Sequence, residues 1–453
     1  MRATGTGSAA RAMDSNRTRA ARVESGAAGI LESDLLAGLE PERLAERFGT
    51  PLYVYDLDVV ACRFAALRAA LPPSFEVAYA VKANPALAVI ARLGALGAGA
   101  DVASAGELAA ALRAGIPAAR IVVTGPGKRS GELELAVGSR VRAVTVESPG
   151  ELDRLEATAA ALERRTPILL RAAVTDDGAK RVRLIGGDGA AKFGMDRDDL
   201  LACGRRAIGS PHLELLGLHA FGASNVLSAA AIVAHVRATL ELAAGLARAT
   251  GLPLRLVDVG GGLGIPYGPD EEPLDLAALG AGLAGLREAW AADPLVAGAR
   301  VLLEPGRFLV GPAGAYLARV VDRKRVGGAD VAILDGGIHH LVRPALTGQE
   351  HRIATLGVLG RAGDGNRREP VTVAGPLCTG LDVFGRRADL PPPAVGDLVA
   401  ILDAGAYGYT ESMPLFLSHP MPAEVAVRGG RAELIRPRIE PSELLERQIL
   451  PAW

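Results

Sequence analysis

Between residues 58 and 310 the sequence alternates short apolar segments with Ala/Leu/Arg-rich stretches, at intervals of roughly 25–45 residues. FEVAYAV (75–81), IVVTG (121–125), AVTVES (143–148), PILLRAA (167–173), LLGLHAF (215–221), LRLVDVG (254–260) and RVLLEPG (300–306) read as strands. Residues 105–114 and 228–250 read as helices between them. Parallel neighbours need crossovers of this length. About eight strand–helix units fit the span, which predicts a TIM-like (β/α)8 barrel with its chemistry at the C-terminal ends of the strands.

The texture changes after residue 311. GAYLARVVDRKRV, VAILDGG, EPVTVAGPL, DLVAILDAG and AEVAVRGGRAEL are strand-like, and long helical patterns are scarce. Residues 311–453 therefore read as a C-terminal, mostly β domain. Before the barrel, residues 1–27 have little periodicity and read as a mobile tail. Residues 28–57 supply short amphipathic helices and the strand PLYVYDL, expected to join the β domain.

Composition excludes several functions. The chain has 50 basic and 51 acidic residues, so no positive field gathers nucleic acid. Apolar residues make up 49% of its 453, enough for a large core. No uninterrupted apolar run reaches the length of a membrane span, so no membrane partner is expected. Cys62, Cys203 and Cys378 form neither a disulfide framework nor a metal motif, and a reducing, cytoplasmic setting is the plain reading. The N-terminus lacks the apolar core of a secretory signal. The seven histidines show no ligand spacing, and no metal is expected.

Only five lysines stand against 45 arginines. Lysine is the basic residue that can form an imine, so each one counts. Lys82, in YAVKANP, follows a strand. Buried at a barrel strand end it would be a nucleophilic amine; its position also fits a surface lysine. GGGLG (260–264) follows LRLVDV; its amides could cradle a phosphate or simply make a tight turn. In EPGR (304–307), Glu304 could hold a ring nitrogen protonated and Arg307 bind an anion, or the two could form an ordinary ion pair. His219, in GLHAFGAS, could stack on a flat cofactor, act as a catalytic acid, or be a satisfied core histidine. Cys378, in GPLCTGLD, is a proton donor or a small buried apolar residue. The set falls at successive strand ends and matches the needs of pyridoxal phosphate.

The ordered motifs YAVKANP, GADVASAGEL, AKFGM, GLHAFGAS, VDVGGGLGIPY, EPGR, RPAL, GPLCTGLD, DAGAYGY and HPMPAEV run from about residue 45 to 427. In this the chain resembles the fold-type III pyridoxal-phosphate decarboxylases, the group of diaminopimelate and ornithine decarboxylases. The resemblance implies that Lys82 binds the cofactor covalently and Asp101 lies near its amine. It implies that His219 stacks on the pyridine face and Glu304 meets the ring nitrogen. Gly260, Gly261, Gly262, Gly306, Arg307 and Tyr407 would surround the phosphate. Cys378 would protonate the substrate carbon after CO2 loss, arriving from the second subunit of a homodimer with shared sites.

Three departures bear on the substrate. Diaminopimelate and ornithine decarboxylases carry an acidic residue after the cysteine, which grips a distal ammonium; here it is Thr379. An unpaired ammonium in a closed site would cost about 2–5 kcal/mol. Thr347 replaces the tyrosine of RPALYG. The stretch after His219 does not fit HIGS: HAFGAS holds an extra residue, leaving Ser224 as the phosphate-binding candidate. Arg343 is retained and could bind a distal carboxylate or carbonyl. The expectation is decarboxylation of a small-molecule or carrier-protein-linked amino acid without a free distal ammonium, of the kind found in specialised metabolism. The alternative is diaminopimelate decarboxylase, with Glu411 holding the distal ammonium. A non-catalytic relative is disfavoured because Lys82, Glu304, Arg307 and Cys378 are present, and a racemase because GPLC and HPMPAEV resemble decarboxylases.

Overall fold

The computed structural model describes residues 39–173, 192–222, 224–356 and 367–453. The expected tail, residues 1–27, and the helical region before residue 39 lie outside the described residues. The chain divides into two units. One holds Phe64–Ile265 and Leu274–Leu309; the other holds the chain up to Arg63, Pro266–Pro273 and Val310–Trp453.

Helix Pro41–Phe48 leads into β1 (Leu52–Asp56), and helix Leu57–Ala70 follows. The next eight strands close into a parallel barrel: β2 (Phe75–Ala80), β3 (Gly99–Val102), β4 (Ile121–Val123), β5 (Ala143–Val146), β6 (Thr166–Arg171), β7 (Leu213–His219), β8 (Leu256–Asp258) and β9 (Arg300–Leu303). Each pairs with its successor, and β9 pairs with β2. The TIM-like expectation is met, and the eighth strand is GADV, which no apolar run announces.

Serines start the helices after three of these strands. Ser104, Ser148 and Ser228 accept the amides of Glu107, Glu151 and Ala231 at 3.2, 3.1 and 3.2 Å. Each bond satisfies a donor that the first helical turn leaves open. The barrel's middle is filled by Ala78, Val122, Ala143, Leu169, Leu256 and Leu302 from six strands, a mix of small and large side chains that fits a tapering interior.

Helix Ala229–Thr250 is, by length and composition, long and apolar enough to cross a membrane, despite Arg237 and Glu241. The expectation from the sequence is that no uninterrupted apolar run reaches such a length, and Arg237 and Glu241 do interrupt this one. Here the helix buries Ile232, Val236, Leu240, Ala243 and Ala247, spaced as one helical face, and packs on β7 and on helices Arg197–Gly209 and Leu276–Trp290.

The second unit is built on a nine-stranded sheet. Its other strands are β10 (Gly314–Val326), β11 (Ala329–Leu334), β12 (Ile353–Leu356), β13 (Glu369–Ala374), β14 (Val383–Leu390), β15 (Leu398–Ile401), β16 (Ala423–Arg428) and β17 (Arg431–Arg436). The main path is β14-β13-β11-β10-β1-β16-β17, with β15 pairing both β10 and β12. β1 lies antiparallel to β10 and parallel to β16, so a segment from before the barrel fills the centre of this sheet. Leu52, Val54, Leu317, Leu398 and Val425 form its core with Leu44 of helix Pro41–Phe48.

Pro266–Pro273 belongs to the sheet unit, although it lies inside the span read as barrel. Tyr267 is buried there, its ring edge-on to His351 at 4.8 Å between centroids.

The barrel leaves no room at Gly217 of β7. A Cβ there would lie 1.8 Å from the Leu256 carbonyl oxygen of β8. Gly217→Ala must push two paired strands apart, at a cost of about 1–3 kcal/mol or more. The expected result is a clear fall in melting temperature; an unchanged one would contradict this packing.

Candidate active site

Lys82 sits in the tight turn Val81–Ala83 directly after β2, and Asp101 is the third residue of β3. Strand register sets Asp101 beside Ala80, and the Lys82 amine reaches the Asp101 carboxylate at 2.7 Å. The other carboxylate oxygen accepts the Thr124 hydroxyl at 2.6 Å. Asp101 is thus locked from both sides and orients the amine by a charge-assisted bond. The expectation of a buried lysine is not met: its side chain is 42% exposed, because it projects from the turn and not from the strand.

Three further strands end in ionisable groups. His219 closes β7, Asp258 closes β8, and Glu304 follows β9 by one residue. Register pairs His219 with Asp258, and a ring nitrogen of His219 and one carboxylate oxygen from each acid lie within 4.8 Å of one another. All are buried. His219 Nε2 is 3.5 Å from Glu304 Oε2. Asp258 Oδ1 accepts the Gly260 amide at 2.9 Å.

Two carboxyls so close cannot both ionise cheaply. Burial first, and then the Glu304 charge, push Asp258 well above the usual carboxylate range. Burial would raise Glu304 too, but the His219 ring, Lys82 and the hydrogen bond from Asp258 outweigh it and hold Glu304 low. Asp258 therefore carries the proton and Glu304 the charge. Asp258 was not singled out from the sequence; the signal available was an acid buried in a strand that ends at a glycine turn.

The glycine loop is required by sterics. Gly260 and Gly262 have φ of +68° and +91°, which side chains resist. A Cβ on Gly261 would lie 2.2 Å from the Glu304 carbonyl oxygen. A Cβ on Gly306 would lie 2.7 Å from that of Ala83, next to Lys82. Arg307, buried, starts the short helix Arg307–Val310.

These residues fit pyridoxal phosphate. Glu304 Oε1 is buried with no hydrogen-bond donor from the protein, and a protonated ring nitrogen is a donor of the matching kind. A glycine cradle and Arg307 suit a phosphate.

Ser224 lies in the barrel unit, whereas Arg343, Thr347, Cys378, Thr379, Tyr407 and Glu411 lie on the sheet unit. Arg343, in helix Arg343–Thr347, donates to Glu411 Oε2 at 3.3 Å and lies 5.1 Å over the Tyr407 ring. Tyr407 has a φ of +55°. The Thr347 hydroxyl donates to the Arg343 carbonyl at 2.9 Å. Cys378 is exposed, and Thr379 accepts the Leu381 amide on its hydroxyl at 3.3 Å. Sequence reading missed Asp382, whose carboxylate takes the amides of Leu377 and Ile338, each at 2.7 Å, and so fixes the turn that bears Cys378.

The raised Asp258 makes a signed prediction. In the unfolded chain this acid titrates near ~3.9. Its folded form keeps the proton, so its contribution to stability is full below that pH and declines as pH rises towards the folded value. Asp258→Asn keeps the acceptor for Gly260 and a donor for Glu304 without that decline. Melts at pH 5 and pH 8 should show the variant gaining on the parent protein as pH rises; a parallel pair of curves would contradict the assignment.

A family model described as pyridoxal-dependent decarboxylase, pyridoxal binding domain, matches residues 57–311. An L-glutamyl-[BtrI acyl-carrier protein] decarboxylase of Niallia circulans is 32% identical over 412 residues, covering 90% of this chain and 95% of that one. A diaminopimelate decarboxylase of Methanothermobacter thermautotrophicus is 36% identical over 421 residues, covering 92% and 96%. The structure of a diaminopimelate decarboxylase from M. jannaschii in co-complex with L-lysine matches at a TM-score of 0.83 and 30% identity, covering 91% and 95%. The chain therefore belongs to the pyridoxal-dependent decarboxylases, enzymes that remove a carboxylate from amino acids with pyridoxal phosphate as cofactor.

Proposed function

We propose that this enzyme decarboxylates an amino acid whose distal end is a neutral acyl group, held as a thioester on a carrier protein or as an amide in a siderophore precursor. The observation that carries this reading is Thr379, which stands where diaminopimelate and ornithine decarboxylases carry the acid that pairs with a distal ammonium. A hydroxyl gives such an ammonium no countercharge. The carrier-linked glutamate decarboxylase of Niallia circulans, 32% identical, supports the reading.

The Arg343–Glu411 pair supports it too. Glu411 already neutralises Arg343 at 3.3 Å, so it is not a spare carboxylate for a substrate ammonium. A paired Arg343 can still donate to a carbonyl. The second reading, diaminopimelate decarboxylase, is favoured by relatives of 34–36% identity with that activity.

Pyridoxal phosphate, when bound, supplies the electron sink that lets the α-carboxylate leave as CO2. Lys82, its amine positioned by Asp101, would hold the cofactor. The amides of Gly260–Gly262 with Arg307 bind the phosphate. Glu304 would accept the N–H of a protonated ring nitrogen, and Asp258 keeps its proton so that Glu304 stays charged. The Cys378 thiol returns a proton to the carbon that lost CO2, in a homodimer whose second subunit supplies that turn.

The test is CO2 release by the purified, cofactor-loaded full chain. An L-glutamyl carrier thioester should exceed meso-diaminopimelate in kcat/KM by roughly 30- to 5,000-fold, the rate equivalent of about 2–5 kcal/mol. Thr379→Glu should narrow that gap. Turnover of meso-diaminopimelate at ordinary enzyme rates would establish the second reading instead.

A further inference from the structure

We propose that Phe221, not His219, provides the face on which the cofactor ring lies, and that His219 instead serves the carboxylates at the ring nitrogen. This reassigns a role that the family resemblance gave to His219.

His219 is the last residue of β7, and its ladder position against Asp258 is set by the barrel. Its side chain is held in the layer of Asp258 and Glu304, with Nε2 3.5 Å from Glu304 and 1% of the residue accessible. A ring that stacks must give up one whole face to its partner. The contact with Glu304 is made by the edge of the His219 ring, and burial at 1% exposure leaves neither face open to a further ring.

Phe221 comes two residues later, beyond the strand, and is only partly buried. Its ring lies on the glycine loop: a Cβ on Gly260 would come within 2.6 Å of Phe221 Cδ2 and 3.2 Å of its Cβ. The chain that follows is stitched to the same loop. The Val226 amide donates to the Gly262 carbonyl at 2.8 Å, and the Gly264 amide donates to the Val226 carbonyl at 3.0 Å. Asn225 Oδ1 accepts the Ile265 amide at 3.0 Å. Phe221 thus stands on the rim of the loop suited to the phosphate.

The same choice removes the surplus residue noted in the sequence. Counted from His219, HAFGAS is too long for HIGS; counted from Phe221, FGAS has the same four positions and ends on Ser224. A phenyl ring offers an apolar face with no proton to exchange. Charge control would then rest with the His219, Asp258 and Glu304 group.

The test uses the full chain with two readouts besides turnover: the affinity for pyridoxal phosphate, titrated by visible absorbance, and the pH dependence of that absorbance. Phe221→Ala should weaken binding about 3- to 10-fold, the worth of one stacked pair, with the pH dependence unchanged. Phe221→Tyr, which keeps the ring, should bind as the parent protein does and guards against a folding defect in the alanine variant. His219→Gln should shift the pH dependence of the band. Phe221→Ala binding as tightly as the parent, or a His219→Gln variant that weakens binding with no pH shift, would overturn the proposal.

Discussion

The site rests on one constraint: Asp258 and Glu304 are buried side by side, and only one of them can hold a charge. Each ends a neighbouring barrel strand, so closure of the barrel forces them together whether or not the pairing is cheap. Burial and the Glu304 charge settle the proton on Asp258, against the pull of the Gly260 amide on one of its oxygens, and the charge settles on Glu304. That division orders the backbone as well. Gly260 returns its carbonyl to the Glu304 amide at 2.8 Å, which draws the phosphate loop and the ring-nitrogen acid into one hydrogen-bonded piece.

The opposite arc of the barrel mouth is also charged, but differently. Lys128 pairs with Glu151 at 2.6 Å and Arg171 with Glu147 at 2.8 Å, all four largely buried. Glu151 also accepts the Glu147 amide at 3.3 Å, and Lys128 donates to the Gly125 and Thr145 carbonyls. Burial raises Glu151 although Lys128 pulls it down. Satisfied charges of this kind add little net stability, but losing one partner strands the other, at about 3–5 kcal/mol. The network therefore acts as a rigid frame for the ends of β4 to β6. The Asp258–Glu304 side keeps open valences for a ligand.

Much of this was legible in the sequence, for identifiable reasons. Strands rich in Val, Ile and Leu announce themselves, and seven of the eight barrel strands were read that way. GADV was missed because Gly and Asp are poor strand formers. Its glycine is there for a close approach, since a Cβ at Gly99 would lie 2.4 Å from the Arg120 carbonyl oxygen. Lys82, Asp101 and the glycine loop stood out by motif. Asp258 did not, because its role comes from a neighbour 46 residues away and from burial, neither of which a local pattern records. Pro266–Pro273 was read as barrel because nothing in those residues shows that Tyr267 packs against His351.

Substrate choice, on the proposed reading, follows from charge bookkeeping on the sheet unit. Arg343 is buried and would be costly unpaired; Glu411 and the Tyr407 face compensate it. A distal carboxylate would have to compete with Glu411 for the guanidinium, and a distal ammonium would gain no countercharge from the Thr379 hydroxyl. A neutral thioester or amide carbonyl asks for neither: it needs one donor, and Arg343 has more N–H groups than Glu411 occupies. Specificity would then come chiefly from what the site declines to neutralise, which is the cheaper way to reject a charged competitor in a closed pocket.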